Sequence, residues 1–381
     1  MKTKHIIEPY RLLFPLGIIF GLIGVSLWIV YGLGSLDNYP AQSHSQLMIG
    51  AFLFAFAAGF LMTAIPKMTA SFPAQPFELI LACGLTLNNA AWSTSKYPSA
   101  FYFASAVSIF GLVAFFLRRF FARTKAIPPF FPFVLFGLLS GLTGALLLGF
   151  SSVYEGHSFG LSFGRKIYFE GMTLFLVLGI GSRLIPVISG RGIVDQPWNK
   201  SVLTNISLAA ALFASYALQS SGEVLVGGVL KIFVITWIGY FGWGLFEKSK
   251  TKSRLAIGMK LSGTMVLAGV VMSVIQPGST VHWMHLTYIS GFGLMTLTVA
   301  SRVILAHGSY DLVYETKSNT LWLSGALILT AAATRAAAPF TGAGYTMHLV
   351  YAAGVWILAM VIWSIVFVKR MLWKGTDQKS C

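Results

Sequence analysis

The sequence predicts an all-α integral membrane protein built as one bundle of about twelve transmembrane helices. Of its 381 residues, 56% are hydrophobic and only 10% are charged, whereas soluble domains carry about 25% charged residues. Mean hydropathy is +0.75, and apolar runs of about 18–24 residues recur along the chain, each long enough to cross a membrane as a helix. The runs are continuous rather than alternating, which favours helices over a membrane barrel.

Twelve of these runs are predicted to span the membrane, and the third, seventh and eleventh have the weakest patterns. No loop between them is long enough for a separate domain, so residues 1–381 are expected to form a single transmembrane domain. The predicted spans are residues 12–33, 44–66, 77–92, 99–121, 130–152, 167–188, 202–219, 224–246, 256–276, 282–306, 321–338 and 346–368.

Lysine and arginine are distributed unevenly about these spans. With alternate loops on one side, 22 of the 27 basic residues share a side, while Lys96, Arg165, Lys166 and Arg335 lie on the other and Lys231 lies within the eighth span. Basic loops stay in the cytoplasm, so both termini are predicted to be cytoplasmic. The net charge of +16 is therefore assigned to topology and to contact with membrane lipid, and no nucleic acid partner is expected.

Five of the seven histidines fall on the predicted outer side: His44, His157, His282, His285 and His348. A polar residue at membrane depth is costly without a partner, and imidazole is the commonest metal ligand. His282 and His285 share one helix face because they are three residues apart. A single interfacial histidine is well explained by bonds to headgroups and carbonyls. Several histidines at one depth favour a haem or metal site, with His44 and His285 as the first candidates.

Other charged residues near membrane depth are few. Arg335, near the outer end of the eleventh span, needs an anion, either a haem propionate or a lipid phosphate. Lys231 is expected to snorkel to the outer surface. Glu78, Glu170 and Glu223 fit either a proton relay or, more commonly, helix-end charges that face water.

Three further features concern arginines, tryptophans and cysteines. Arg183 and Arg302 are expected to snorkel to the inner surface or to pair with Glu78. Interfacial belts with no binding role are predicted for Trp28, Trp92, Trp243 and Trp283. Cys83 and Cys381 differ too much in location to suggest a disulfide.

A weak internal repeat is also present. The second, sixth and tenth spans end in similar segments at residues 63–66, 182–186 and 301–305, offset by 120 and 119 residues. Each offset corresponds to four helices. Three four-helix units are one interpretation, and chance similarity among apolar helix ends is the other.

The tenth span carries the most specific motif. From His285 to His307 it reads His-Leu-Thr-Tyr-Ile-Ser-Gly-Phe-Gly-Leu-Met-Thr-Leu-Thr-Val-Ala-Ser-Arg-Val-Ile-Leu-Ala-His. This resembles the NnrS family of bacterial inner-membrane proteins, which has a leading histidine, a Gly-x-Met-Thr-Leu core, and Arg and His five residues apart. His44 with residues 59–66, and residues 181–186, resemble further family segments, so the resemblance covers most of the chain.

The resemblance implies haem, most simply of b type, and copper as an additional cofactor. It also implies a bacterial inner-membrane location and a role in the response to nitric oxide and nitrosative stress, with nitric oxide or a related small ligand as partner and an unidentified electron donor. The family usually opens its second span with His-x-His-Glu, but Gln46 and Leu47 replace the second His and the Glu here. His282, His348 and His307 remain as the metal-ligand candidates.

More remotely, the chain is similar to the core subunits of haem–copper oxidases. In that larger family, histidines of the second and tenth spans ligate a haem, and arginines after the eleventh span hold its propionates. His44, His285 and Arg335 occupy the corresponding places. The copper-site histidines of the oxidases have no counterpart in the sixth and seventh spans of this chain.

These observations leave three functional hypotheses. The first is a haem protein of nitric oxide tolerance with His44 and His285 as axial ligands. The second is a twelve-helix transporter of a metal or small solute, although no pair of broken, charged helices is evident. The third is a sensor or assembly partner without turnover, so whether the protein is an enzyme stays open.

Overall fold

A computed structural model describes residues 8–151, 158–192 and 201–373 of the protein, and the regular structure in these residues is helical throughout. Eleven of the helices are long and apolar enough to cross a membrane, which confirms the all-α, multi-span prediction. Together with a shorter helix, α3, the bundle consists of α1 (Tyr10–Gly32), α2 (Ala41–Thr69), α3 (Pro76–Trp92), α4 (Pro98–Phe121), α5 (Phe131–Ser151), α6 (Phe159–Ile188), α7 (Val202–Ser220), α8 (Val224–Trp243), α9 (Arg254–Ile275), α10 (Pro277–His307), α11 (Asn319–Phe340) and α12 (Gly342–Leu372).

The short helix α3 corresponds to the predicted third span. Pro76 and the capping residue Gln75 start it, and its 17 residues extend over about 26 Å. Glu78, at its beginning, pairs with Arg119 at the end of α4, while Asn89, near its end, donates to the carbonyl of Gly50 in α2 (2.9 Å). The helix therefore runs antiparallel to α4 over most of the depth of the bundle.

Helices α2, α6 and α10 form the interior of the bundle. In their most apolar segments, 89%, 67% and 72% of the residues are buried, against at most 56% in the other spanning helices. The outer helices surround these three, and α1 packs against α12 to close the ring. We call the end at which α2, α6, α10 and α12 begin the histidine end, because His44, His282, His285 and His348 lie in its helices.

The three inner helices share a backbone feature. Each contains a π-helical segment, and these segments begin at Met48, Ile167 and Leu286, 119 residues apart in both cases. A further π-helical segment, Ile238–Trp243, ends α8 and lies outside this series. Because π-helical turns are rare, their equal spacing supports the division into three four-helix units, and chance similarity among helix ends does not explain it.

At the opposite end of the bundle, two arginines pair with nearby carboxylates. Arg119 is 0% exposed, and its guanidinium donates to both oxygens of Glu78 (2.6 and 2.5 Å) and lies 3.6 Å from the ring centre of Phe115. Arg302 instead pairs with Glu315 in the loop before α11. The predicted pairing of Glu78 with Arg302 is therefore wrong, since each residue has a closer partner on an adjacent segment.

Candidate functional site

Two histidines of the inner helices lie near the histidine end of the bundle. His44 is in the first turns of α2, and its Nδ1 lies 2.9 Å from the carbonyl oxygen of Gly24 in α1. His285 is in α10, and its Nδ1 lies 2.6 Å from the carbonyl oxygen of Val281, one turn earlier in the same helix. The structure thus places both histidines at the histidine end, in two of the three inner helices.

These contacts determine which ring nitrogen carries the proton. A carbonyl oxygen can only accept a hydrogen bond, so Nδ1 must be the N–H donor in both His44 and His285. The lone pair of each neutral ring then lies on Nε2. Metal-ligating histidines usually show this arrangement, in which the second nitrogen donates to a carbonyl and orients the ring. Both residues therefore have the tautomer that a metal or a haem iron needs.

His282 has the opposite arrangement. Nη1 of Arg335 lies 2.6 Å from its Nδ1, and because arginine has no lone pair to offer, this ring nitrogen must accept. Its proton is consequently on Nε2. Arg335 is only 6% exposed, and no carboxylate of the described residues lies within ion-pair distance of it. The site thus contains a buried guanidinium that donates to a neutral ring and also interacts with Tyr345.

An aromatic group that the sequence analysis did not identify surrounds these residues. Trp28 is buried, and its ring centre lies 5.4 Å from that of His44 and 5.0 Å from that of Tyr39. The hydroxyls of Tyr39 and Tyr345 are 3.1 Å apart. The ring centres of Tyr345 and His282 are 5.8 Å apart, and the two rings are nearly perpendicular. Trp28 thus contacts a candidate ligand, in addition to the interfacial position predicted for it.

Tyr39 is held neutral in this group. It lies in the loop between α1 and α2, where burial, together with the hydrogen bond to Tyr345, raises the pKa of its hydroxyl above the usual range. Its O–H is therefore available as a donor or acceptor at neutral pH. The sequence could not predict a role for Tyr39, because its contact with Tyr345 depends on how this loop packs over α12.

Two histidines of the predicted outer group remain, His348 and His157. His348 of α12 has a buried Nδ1 with no hydrogen-bond partner among the described residues, and its ring centre is 6.3 Å from that of Tyr351. That nitrogen is free to bind a ligand. His157, predicted to lie just before the sixth span, falls outside the described residues.

His307, the third metal candidate, lies at the opposite end of α10. It is 22 residues beyond His285, or about 33 Å along the helix. Its Nδ1 is 2.5 Å from Nζ of Lys67 and 3.9 Å from a carboxylate oxygen of Glu8. Burial raises the pKa of Glu8, but its contacts with His307 and Lys67 lower that pKa by a larger amount, so the net shift is downward. His307 therefore belongs to a separate charged cluster and not to the site of His44 and His285.

The described residues contain no group of three or more His, Cys, Asp or Glu side chains that could hold a metal ion by themselves. The histidine end instead offers two imidazoles with free Nε2 lone pairs, one buried guanidinium and three large aromatic rings. This set suits a planar, anionic group held by two nitrogen ligands better than it suits a bare metal ion.

A second buried polar cluster joins α6, α7 and α8. Nζ of Lys231 donates to Glu170 (2.7 Å) and to Gln219 (3.2 Å), and the hydroxyl of Tyr216 also donates to Glu170 (3.2 Å). Lys231 is 3% and Glu170 is 7% exposed. The expectations that Lys231 snorkels to the surface and that Glu170 faces water are therefore wrong, because each charge is neutralised by the other inside the bundle.

Comparison with known proteins agrees with the motif of the tenth helix. The family model described as NnrS protein matches residues 6–374, nearly the whole chain. No curated protein matches the chain. The chain belongs to the NnrS protein family.

Proposed function

We propose that this multi-pass member of the NnrS family binds a b-type haem at the histidine end of its bundle and takes part in the response to nitric oxide. One observation carries the proposal: Nδ1 of His44 and Nδ1 of His285 each face a backbone carbonyl. The Nε2 lone pair of each ring is therefore free, and both would bind the haem iron. The two ligands would come from α2 and α10, in which His44 and His285 lie at similar depths.

The buried guanidinium of Arg335 supports the same proposal. A charge at 6% exposure without a carboxylate partner among the described residues is costly unless an anion accompanies it. A haem propionate is such an anion, and Arg335 would hold it. A lipid phosphate is the alternative, and haem titration of the Arg335→Gln apoprotein distinguishes the two.

The other residues would define the surroundings of the group. Bound haem supplies an iron that carries single electrons and binds nitric oxide. Trp28, Tyr39 and Tyr345 would exclude water from its edge. Two axial histidines favour electron transfer, whereas the free Nδ1 of His348 offers a donor for an additional ligand.

Copper is the less well supported part of the family's implied chemistry. Gln46 and Leu47 replace the family's second His and Glu, and the buried amide of Gln46 has no hydrogen-bond partner within the described chain. Nδ1 of His282 is occupied by Arg335. The residues present do not fit a complete copper site, so the proposed chemistry contains no copper step. The proposed location is the bacterial inner membrane.

The experiment is a visible spectrum of the purified protein, oxidised and reduced, with and without nitric oxide. We expect a six-coordinate haem signal in the wild type that is lost in His44→Ala and in His285→Ala. His307→Ala is the matched control, because it removes an imidazole from the other end of α10 and should leave the spectrum unchanged.

Other outcomes would redirect the proposal. A full spectrum in the His44→Ala and His285→Ala variants would refute the ligand assignment. Haem without any spectral change on adding nitric oxide would favour a sensor or assembly partner. Colourless protein from haem-sufficient cells would favour transport of a metal or small solute.

A further inference from the structure

Near the middle of the bundle, the inner helices line an apolar cavity of about 80 Å³ that is partly open rather than fully enclosed. Its walls come from the three inner helices α2, α6 and α10, and Phe14 of α1 closes one side. Three of the lining residues occupy equivalent positions of the repeat, since Ala57, Leu176 and Met295 follow one another at intervals of 119 residues. The cavity therefore lies where the three units meet.

The cavity is separate from the histidine site. Leu53 lines it nine residues beyond His44, and Met295 lines it ten residues beyond His285. At 1.5 Å per residue, these intervals place it about 14 Å further along both helices. The cavity is thus in the middle of the bundle.

Its chemistry selects against water. Of the lining side chains, only those of Thr173 and Thr296 are polar, whereas a buried water needs two to four polar partners. Apolar cavities of comparable size stay dry and accept apolar guests such as xenon. Phenylalanine, leucine and methionine side chains make up most of the remaining wall.

Its volume selects among apolar guests. An apolar cavity of about 150 Å³ binds benzene or xenon, so about 80 Å³ is enough for a diatomic molecule or a noble-gas atom. We propose that this axial cavity binds one molecule of a small apolar gas. Such gases dissolve in hydrocarbon, so the surrounding membrane is their source, and the inference does not depend on haem binding.

Xenon is the probe for this site. The full-length protein is crystallised, pressurised with xenon, and examined by anomalous diffraction, with xenon-129 NMR of the detergent-solubilised protein as a solution measurement. We expect one xenon atom among Ala57, Leu176 and Met295. An absence of xenon from this position, in crystals that take it up elsewhere, would overturn the proposal.

Two variants and a control sharpen the test. Ala57→Leu fills the cavity and should lower xenon occupancy at least tenfold, whereas Met295→Ala enlarges the cavity and should raise occupancy. Ala326→Leu makes the same chemical change at an exposed position of α11 and should have no effect. Unchanged occupancy in Ala57→Leu would refute the assignment, and Met295→Ala keeps the test decisive if the leucine variant does not fold.

Discussion

Two buried arginines lie in opposite surroundings. Arg119 is neutralised within the protein, since both oxygens of Glu78 accept from it and Phe115 covers its face. Arg335 is nearly as deeply buried, yet its hydrogen bond goes to the neutral ring of His282 and no carboxylate of the described residues pairs with it. The difference separates a buried charge that the fold itself neutralises from one that, under the proposed function, an anionic ligand would neutralise.

Breaking the complete pair should have the largest effect. Glu78→Gln leaves Arg119 buried without a counter-charge, and we expect it to lower the free energy of unfolding by about 3–5 kcal/mol. Arg335→Met removes a charge that has no such partner and should cost far less in haem-free protein. Thermal unfolding of both variants in detergent measures this contrast. Equal losses in the two variants would mean that Arg335 is structurally paired after all.

The Glu170–Lys231 pair extends the comparison to a second complete site. Lys231→Met should destabilise the protein by about 3 kcal/mol, because it leaves the Glu170 carboxylate uncompensated. The double variant with Glu170→Gln should recover more than half of that loss, as a double-mutant cycle of unfolding temperatures would measure. Additive losses would show that the two side chains act independently.

The incomplete site should respond in ligand affinity instead. If Arg335 holds a haem propionate, Arg335→Gln should weaken haem binding roughly 10–100-fold, the range typical of groups that support metal ligands. Haem titration of the apoprotein measures the change. Arg165→Gln removes an exposed arginine assigned to the same side and should leave the affinity as it was; an equal loss there would indicate a general charge effect.

The smallest effect is expected from the charged cluster around His307. The contacts of Glu8 with Lys67 and His307 lower the pKa of its carboxyl below that of a free glutamate. The stabilisation is therefore present above the unfolded-state pKa and is lost as the pH falls through the lower, folded-state pKa. Glu8→Gln should remove this acid-side dependence and cost about 0.2–1 kcal/mol near neutral pH, since Lys67 is half exposed. The measurement is the unfolding temperature of the wild type and of Glu8→Gln between pH 7 and about pH 3. Identical pH profiles for the two proteins would contradict the prediction.

Hydropathy alone was sufficient for the helical fold, because lipid requires each span to satisfy its own backbone. Depth along the spans likewise predicted that His44 and His285 lie at one end of the bundle, and the structure places both there. The contact of His285 with Val281 is a local one, four residues away, and lay within reach of sequence reasoning. The contact of His44 with Gly24 was not, because it depends on how α1 packs against α2.

Lys231 shows why contacts between distant helices could not be predicted from the sequence. Snorkelling describes a lysine with only lipid and water around it, and the carboxylate that changes this outcome is 61 residues away, in α6. Arg335 and the loop residue Tyr39 likewise depend on helix neighbours that a hydropathy profile does not contain. Pairings between distant helices were therefore the missing information.

The π-helical segments also set the direction in which side chains before the segment point relative to side chains after it. Compared with an α-helical turn, a π-helical turn contains one additional residue, and each residue of an α-helix advances the direction of the side chains by about 100°. In α2 and α10 the segment lies between the histidine and the cavity wall. Deleting one residue from Met48–Leu53 would thus rotate His44 by about 100° relative to Ala57, so the two sites can be reoriented independently.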